Sequence, residues 1–431
     1  MKFCMLTSFF GAHSFGGDAA YVDRLSRALA GQGHEVHVIY CLDAFELVRG
    51  SFPEREYNPP SGVTVHGLRS WSGALSPLWT QQTGRPGPKW AEIEKIIKQV
   101  EPDVVHFHNL SLIGGPGLLL KDFGKAVRMM TAHEHWLVCP MHVLWRSDDT
   151  LCDESRCNRC SIASGRPPQL WRHTNLMDRG LARLDRLIVP SQTAAEEHQR
   201  RGITRKIDVL PYFLPQDWPF AYRLEPSAAG RGDQRPYFAC AGRLEKIKGF
   251  QDVISIMDRF PGAELRIAGH GNYIEELKRL AKGAENIRFE GMLEGEPLRR
   301  LMRGARAMVV PSLVPETFGY VVLESFAQGR PVIGRNLGAL PEILENSGGG
   351  MIFNDLDGLS DSMQWYLNDP KIADSHGRAG RESIAMQFHE AGHLKQYLGW
   401  IEEPGEHAGY NTLVKRNLEI PSDLPDSSQA A

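Results

Sequence analysis

Short runs of β-branched and apolar residues recur along the chain, each followed by a longer stretch whose apolar positions repeat at helical spacing. That alternation belongs to parallel sheets joined by helical crossovers, so the chain reads as α/β with doubly wound sheets. In the first unit, residues 3–6 lead through a glycine-bearing loop into a helix that sets Tyr21, Leu25, Ala28 and Leu29 on one face. Gly31 and Gly33 stop the helix, and 36–40 form the next strand. Residues 63–68, 104–108, 127–131 and 187–190 continue the strand series, with an amphipathic helix at 90–100 that ends before Pro102.

Between Pro211 and Pro236 the texture changes to a Pro-rich stretch around Ser227-Ala228-Ala229-Gly230-Arg231-Gly232. Strand-like runs then restart at 237–241, 264–268, 287–290, 307–310 and 331–333. The division that follows is an N-terminal domain over 1–212, a linker over 213–236 and a C-terminal domain over 237–385. A polar, Pro- and Ser-rich tail runs over 404–431. Two such domains suit 431 residues, at about 150 residues per domain. A formal net charge of −3 gives no pull towards nucleic acid. The longest apolar runs fall short of the roughly 20 residues that cross a bilayer, and the apolar start breaks at Thr7 and Ser8, too early for a secretory signal. A cytoplasmic protein is expected, with Cys4, Cys41 and Cys240 acting as small hydrophobes inside apolar runs.

Ligands of open parallel sheets bind beyond the carboxyl ends of strands, so candidate residues should follow strands. Gly16 and Gly17 close the first loop and open a helix, which serves either a bound phosphate or a tight turn. The spacing is not the dinucleotide fingerprint. His106 and His108 end a strand and read as pointing to opposite faces, unable to share one metal. His133-Glu134-His135-Trp136 follows the next strand, where a histidine can bond a sugar hydroxyl or move a proton. In the second half, Gly242 and Arg243 with Lys248 and Gly249 offer two cations for a diphosphate, against the plain reading of a solvated loop. Gly269-His270-Gly271 reads equally as a backbone approach to ligand or a turn. The most specific segment runs from Pro311 to Glu324: Glu316 sits in a loop and Phe318-Gly319-Tyr320-Val321 opens a helix carrying Glu324. Carboxylates there can accept from sugar and ribose hydroxyls, and the helix-start N–H groups can hold a phosphate.

Taken together, Gly16-Gly17, His133-Glu134-His135-Trp136, Gly242-Arg243-Leu244 with Lys248-Gly249, and Glu316-x7-Glu324 resemble the retaining GT-B glycosyltransferases of family four, over about residues 1–400. The resemblance implies two Rossmann-like domains facing across a cleft and a helix at 386–403 that crosses back to the N-terminal domain. It implies that Arg243 and Lys248 grip the donor diphosphate, with Gly242, Gly269 and the 318–321 backbone beside it. Glu316 would contact the transferred sugar, Glu324 the nucleotide ribose, Gly16 and Gly17 the donor from the other domain, and His133 the sugar near the reacting centre. The implied donor is a nucleotide diphosphate sugar, the transfer needs no metal, and the acceptor is a carbohydrate or lipid-linked molecule in polysaccharide or glycoconjugate biosynthesis. The competing readings are another GT-B activity, such as a sugar-nucleotide epimerase or a phosphorylase, and a non-catalytic GT-B subunit.

One stretch departs from that pattern. The insertion 137–171 carries Cys139, Cys152, Cys157 and Cys160, and Cys157-x2-Cys160 has metal-knuckle spacing, so a structural zinc ordering an acceptor-side loop is expected. A redox-active pair and simple packing are the rival readings. From Arg156 to Arg186 seven arginines face two acids. That stretch suits an anionic or lipid-linked acceptor and peripheral contact at the inner membrane face, with a solvated helix face as the plainer reading.

Overall fold

The first strand, Lys2–Leu6, sits in the middle of a sheet and is buried on both faces, as a continuous apolar run in a parallel sheet must be. The computed structural model describes residues 1–49, 56–153, 156–218 and 235–402. The strands are β1 (Lys2–Leu6), β2 (Glu35–Cys41), β3 (Val63–Leu68), β4 (Val104–Phe107), β5 (Val127–Thr131), β6 (Arg186–Val189) and β7 (Asp208–Val209), then β8 (Tyr237–Ala241), β9 (Glu264–Ala268), β10 (Ile287–Gly291), β11 (Met308–Val310), β12 (Val332–Arg335) and β13 (Gly350–Phe353). They form two parallel sheets, in the orders β3-β2-β1-β4-β5-β6-β7 and β10-β9-β8-β11-β12-β13. Two parallel-sheet α/β domains thus lie in one chain. Strands β7 and β13 escape the sequence reading because one is two residues long and the other begins on glycine at a sheet edge.

Strand order reverses between β1 and β4 in the first sheet and between β8 and β11 in the second. A crevice opens at such a reversal because the neighbouring crossovers leave to opposite faces. Both reversal points carry glycine-bearing loops at their carboxyl ends.

The two halves share one apolar core. Tyr212 and Phe213 from the first half pack in a single buried cluster with Phe318, Tyr320 and Phe388 from the second. Burying Phe388, 3% exposed, stabilises by about 1.5–3 kcal/mol. The helix Glu390–Glu402 lies against the helix Gly17–Gly31. There the Tyr397 hydroxyl meets His106 Nδ1 at 2.9 Å and the Tyr21 hydroxyl meets His393 Nε2 at 3.1 Å. Most of the expected linker 213–236 and all of the expected tail 404–431 lie outside the described residues. Among the described residues, no helix is long and apolar enough to cross a membrane.

Candidate active site

The loops after β1, β4 and β5 face those after β8 and β11. Gly16 has φ +102°, a conformation that L side chains rarely adopt, and caps the helix Gly17–Gly31. A side chain at Gly17 would meet the Tyr320 ring 3.5 Å away, so this turn abuts the helix Tyr320–Ala327 of the second domain. Asp18, in the first turn, shares the Asn109 amide with Glu134: Asn109 Nδ2 donates to Asp18 at 3.2 Å and to Glu134 at 3.1 Å. Burial, reinforced by the neighbouring Glu134 carboxylate, pushes the Asp18 carboxyl up to about 6. Glu134 keeps a lowered pKa despite burial because His142 bonds it at 2.6 Å and Arg243 faces it.

His133 is committed on both ring nitrogens, to His108 Nδ1 at 3.0 Å and to the Tyr212 hydroxyl at 2.5 Å. Burial drives its pKa down to about 3, so the ring is neutral. The expectation that His106 and His108 face apart is corrected. Their ring centroids lie 4.0 Å apart, because residues two apart on a strand share a face.

In the second domain, Gly269 has φ +147°, and a Cβ there would fall 1.9 Å from the Gly242 carbonyl oxygen. The β8 and β9 loops therefore touch backbone to backbone, which holds Gly242 and Arg243 at the strand end. Arg243 Nη1 donates to Glu245 at 2.7 Å. Lys248 Nζ meets Glu316 Oε1 at 2.6 Å, and Ser312 Oγ donates to the same oxygen at 2.6 Å. Burial opposes ionisation of Glu316, yet Lys248, Ser312 and Arg243 hold its pKa below the ordinary value. Gly319, at φ +109°, caps the helix Tyr320–Ala327 without a side-chain cap, so its first N–H groups face the cleft with the positive end of the helix dipole. Val321 is partly buried in that first turn. Phe318 points instead into the core, against Tyr212 at 4.8 Å, so only its backbone borders the site.

Glu324 lies one turn along that helix and is taken by Arg24 of the first domain, Nη2 to Oε1 at 2.7 Å. The Arg24 guanidinium rests over the Tyr320 and Trp218 rings, at 4.1 and 4.6 Å from their centroids. Other bonds close the cleft. Thr317 Oγ1 donates to the His133 carbonyl at 2.6 Å, Ser191 Oγ donates to the Thr317 carbonyl at 2.7 Å, and His135 Nε2 meets the Pro315 carbonyl at 3.1 Å. Glu342 accepts from the N–H groups of Gln192 and Thr193 at 3.0 and 2.8 Å, placing a carboxylate at the start of the helix Gln192–Arg200. A cavity of about 310 Å³ opens beside Glu316, between Leu144 and Arg201 of one domain and Leu337 and Gly338 of the other.

The structure brings Arg243, Lys248, Glu316, Gly319 and Glu324 to one wall and Gly16, Gly17 and His133 to the other. Asp18, Asn109, Glu134, Ser312 and Arg24 belong to the same cleft and were absent from the sequence-based set. Of these Asp18, Glu134 and Ser312 carried a signal: Asp18 directly after Gly16-Gly17, Glu134 inside His133-Glu134-His135-Trp136, and Ser312 inside the Pro311 to Glu324 segment.

The four cysteines share a lobe that borders the cavity beside Glu316, where Cys152 is part of the lining. Cys139 is buried with Cys152 and Cys157 near it, Arg201 reaches Cys152 Sγ at 3.7 Å, and Cys160 Sγ lies 4.0 Å from the Trp145 carbonyl. Among the described residues, no group of three or more His, Cys, Asp or Glu side chains is arranged to hold a metal ion. Cys157 in turn lies near Cys152 and Cys160, so the four thiols are neighbours, with Arg201 and the Trp145 carbonyl contacting two of them.

Two facing doubly wound domains with this cleft are the GT-B architecture. The glycosyltransferase family 4 model matches residues 15–215 and the glycosyl transferases group 1 model matches residues 235–369, and the chain belongs to this family of sugar-transferring enzymes. It is 27% identical over 400 residues to glycogen synthase of Mycobacterium tuberculosis, covering 86% of this chain and 87% of the relative. Among solved structures it resembles sucrose-phosphate synthase from Thermosynechococcus elongatus, with TM-score 0.71, 20% identity, and coverage of 93% and 99% of the two chains. It also resembles Anabaena HepE in complex with UDP and glucose, with TM-score 0.63, 16% identity, and coverage of 94% and 100%.

Proposed function

We propose that this enzyme moves a hexose-type sugar from a nucleotide diphosphate sugar to a carbohydrate or lipid-linked acceptor, with retention at the anomeric carbon. The carrying observation is the Lys248–Glu316–Ser312 triplet, fixed at the carboxyl end of β11 beside Arg243 and the Gly319 helix start. A departing diphosphate develops negative charge, which Lys248, Arg243 and the N–H groups after Gly319 neutralise as the two cations exchange their carboxylate partners for phosphate oxygens. Glu316 then accepts from hydroxyls of the transferred sugar, and Glu324 from the ribose once Arg24 yields. The Gly16-Gly17 turn approaches the donor from the other domain, and His133, held neutral, contacts the sugar near the reacting carbon once one of its present bonds to Tyr212 or Thr317 is given up. The acceptor hydroxyl attacks the face from which the diphosphate leaves, its proton passing to a leaving-group oxygen, so no carboxylate nucleophile is required. The relatives' names, glycogen synthase and a protein complexed with UDP and glucose, support a glucose-type donor.

Calorimetric titration with UDP, GDP and ADP tests the donor site. Binding of one nucleotide is expected, with the affinity lost in Glu324→Ala. Binding of none, or equal binding by Glu324→Ala, would overturn the assignment.

A further inference from the structure

The helix Leu75–Thr83 is built inside out. Its buried positions are Ser76, Pro77 and Thr80, and the buried Lys89 ammonium donates to Ser76 Oγ at 2.7 Å. Facing outward are Leu75, 69% exposed, and Trp79, 53% exposed, while Trp71 just before the helix is 90% exposed. A helix on a water-facing surface shows the reverse order. The inversion is locked in place. Trp171 Nε1 donates to the Gln81 carbonyl at 2.9 Å, and a Cβ at Gly87 would fall 2.7 Å from the Trp79 ring. The helix also packs against the segment Leu170–His173, where Leu170 is 65% exposed and extends the apolar surface.

Charge identifies the occupant. The segments that carry this face, 69–91 and 156–177, contain no Asp or Glu. Arg85 and Arg166 are exposed on them. The neighbouring helix Leu42–Val48 brings Glu46, which is paired with Arg69 at 2.6 Å. Two copies meeting through this patch would set one cationic surface against its own image, which disfavours a symmetric dimer. We propose that this face docks the enzyme on an anionic lipid surface, with Trp71, Leu75, Trp79 and Leu170 entering the interface and the arginines meeting the headgroups. The docking goes beyond sugar transfer and is read without any turnover.

Full-length protein is sedimented with vesicles of phosphatidylcholine, with and without phosphatidylglycerol. Binding is expected on the anionic vesicles, weakened at least about tenfold in Trp71→Ser/Trp79→Ser. Arg85→Glu/Arg166→Glu or high salt should reduce it to the level on neutral vesicles. Unchanged melting and nucleotide binding certify that both variants fold. Quenching of the wild-type tryptophan fluorescence by brominated lipid is expected and gives the same reading without a variant. Absence of wild-type binding to anionic vesicles, wild-type affinity in both variants, or a dimer in light scattering that Trp71→Ser/Trp79→Ser dissolves would each overturn the proposal.

Discussion

Replacing Lys248 by Met keeps the side-chain length and removes the charge that faces Glu316. The two groups meet at 2.6 Å with side chains 22% and 19% exposed, so the pair is largely shielded from water. Removing one partner of a fully buried pair costs about 3–5 kcal/mol. Here Ser312 still donates to Glu316 and Arg243 still attracts it, so the expected cost is about 1–2 kcal/mol. At about 2–4 °C per kcal/mol for domains of this size, melting should fall by about 2–8 °C. The pH dependence has a definite sign. Glu316 is held below its ordinary pKa in the folded protein, so the pair's contribution is present at neutral pH and lost as pH falls through the folded value. The melting gap between wild type and Lys248→Met should therefore narrow on acidification. Glu316→Gln should relieve the stranded carboxylate, making the double variant more stable than the sum of the single losses by about 1 kcal/mol. Transfer is affected separately: losing one charge on the departing diphosphate should lower kcat/KM by about 10²–10³-fold. Scanning calorimetry of the four proteins and initial rates decide the matter. Additivity within about 0.5 kcal/mol, or undiminished kcat/KM in Lys248→Met, would refute the reasoning.

Asp18→Asn removes a carboxyl whose folded pKa, about 6, exceeds its unfolded value. Its ionisation costs stability as pH rises through that range, so the variant should melt higher than wild type at pH about 7 and alike at pH about 4; equal melting at both would contradict the shift. Glu134, Arg243 and the Asn109 amide face this group, and a Glu134→Gln variant should lower the Asp18 pKa in a carboxyl NMR titration. Gly269→Ala forces a Cβ to within 1.9 Å of the Gly242 carbonyl at φ +147°, so it should cost at least about 2–3 kcal/mol of stability and reduce nucleotide binding with it. Circular-dichroism melts and calorimetry on the same sample check both effects.

The sheets were legible because parallel strands buried on both faces leave continuous apolar runs, and the loops after β1, β8 and β11 were legible because glycine marks backbone that no other residue fits. Glu316 and Glu324 stood out because both flank one such glycine, Gly319. What stayed hidden depends on distance along the chain. Arg24 reaches Glu324 across 300 residues and Tyr212 reaches His133 across 79, and neither contact leaves any period or spacing to read. Ser312 lies inside the Pro311 to Glu324 segment, but only the fold sets its hydroxyl on Glu316. The pairing of His106 and His108 on one face was readable from strand geometry alone, whereas the separate partners of Cys152 and Cys160 depend on how the insertion folds, which Cys-x2-Cys spacing does not specify.

The central claim is sugar transfer from a nucleotide diphosphate sugar with retained configuration. Proton NMR of the enzyme incubated with UDP-glucose, GDP-mannose or ADP-glucose and a mixed oligosaccharide or lipid-linked acceptor pool tests it directly. The account predicts release of one nucleoside diphosphate together with a new glycosidic anomeric signal of the donor's own α configuration, abolished in Lys248→Met/Glu316→Gln. A β-configured product, or no diphosphate released from any donor by folded, nucleotide-binding enzyme, would contradict it.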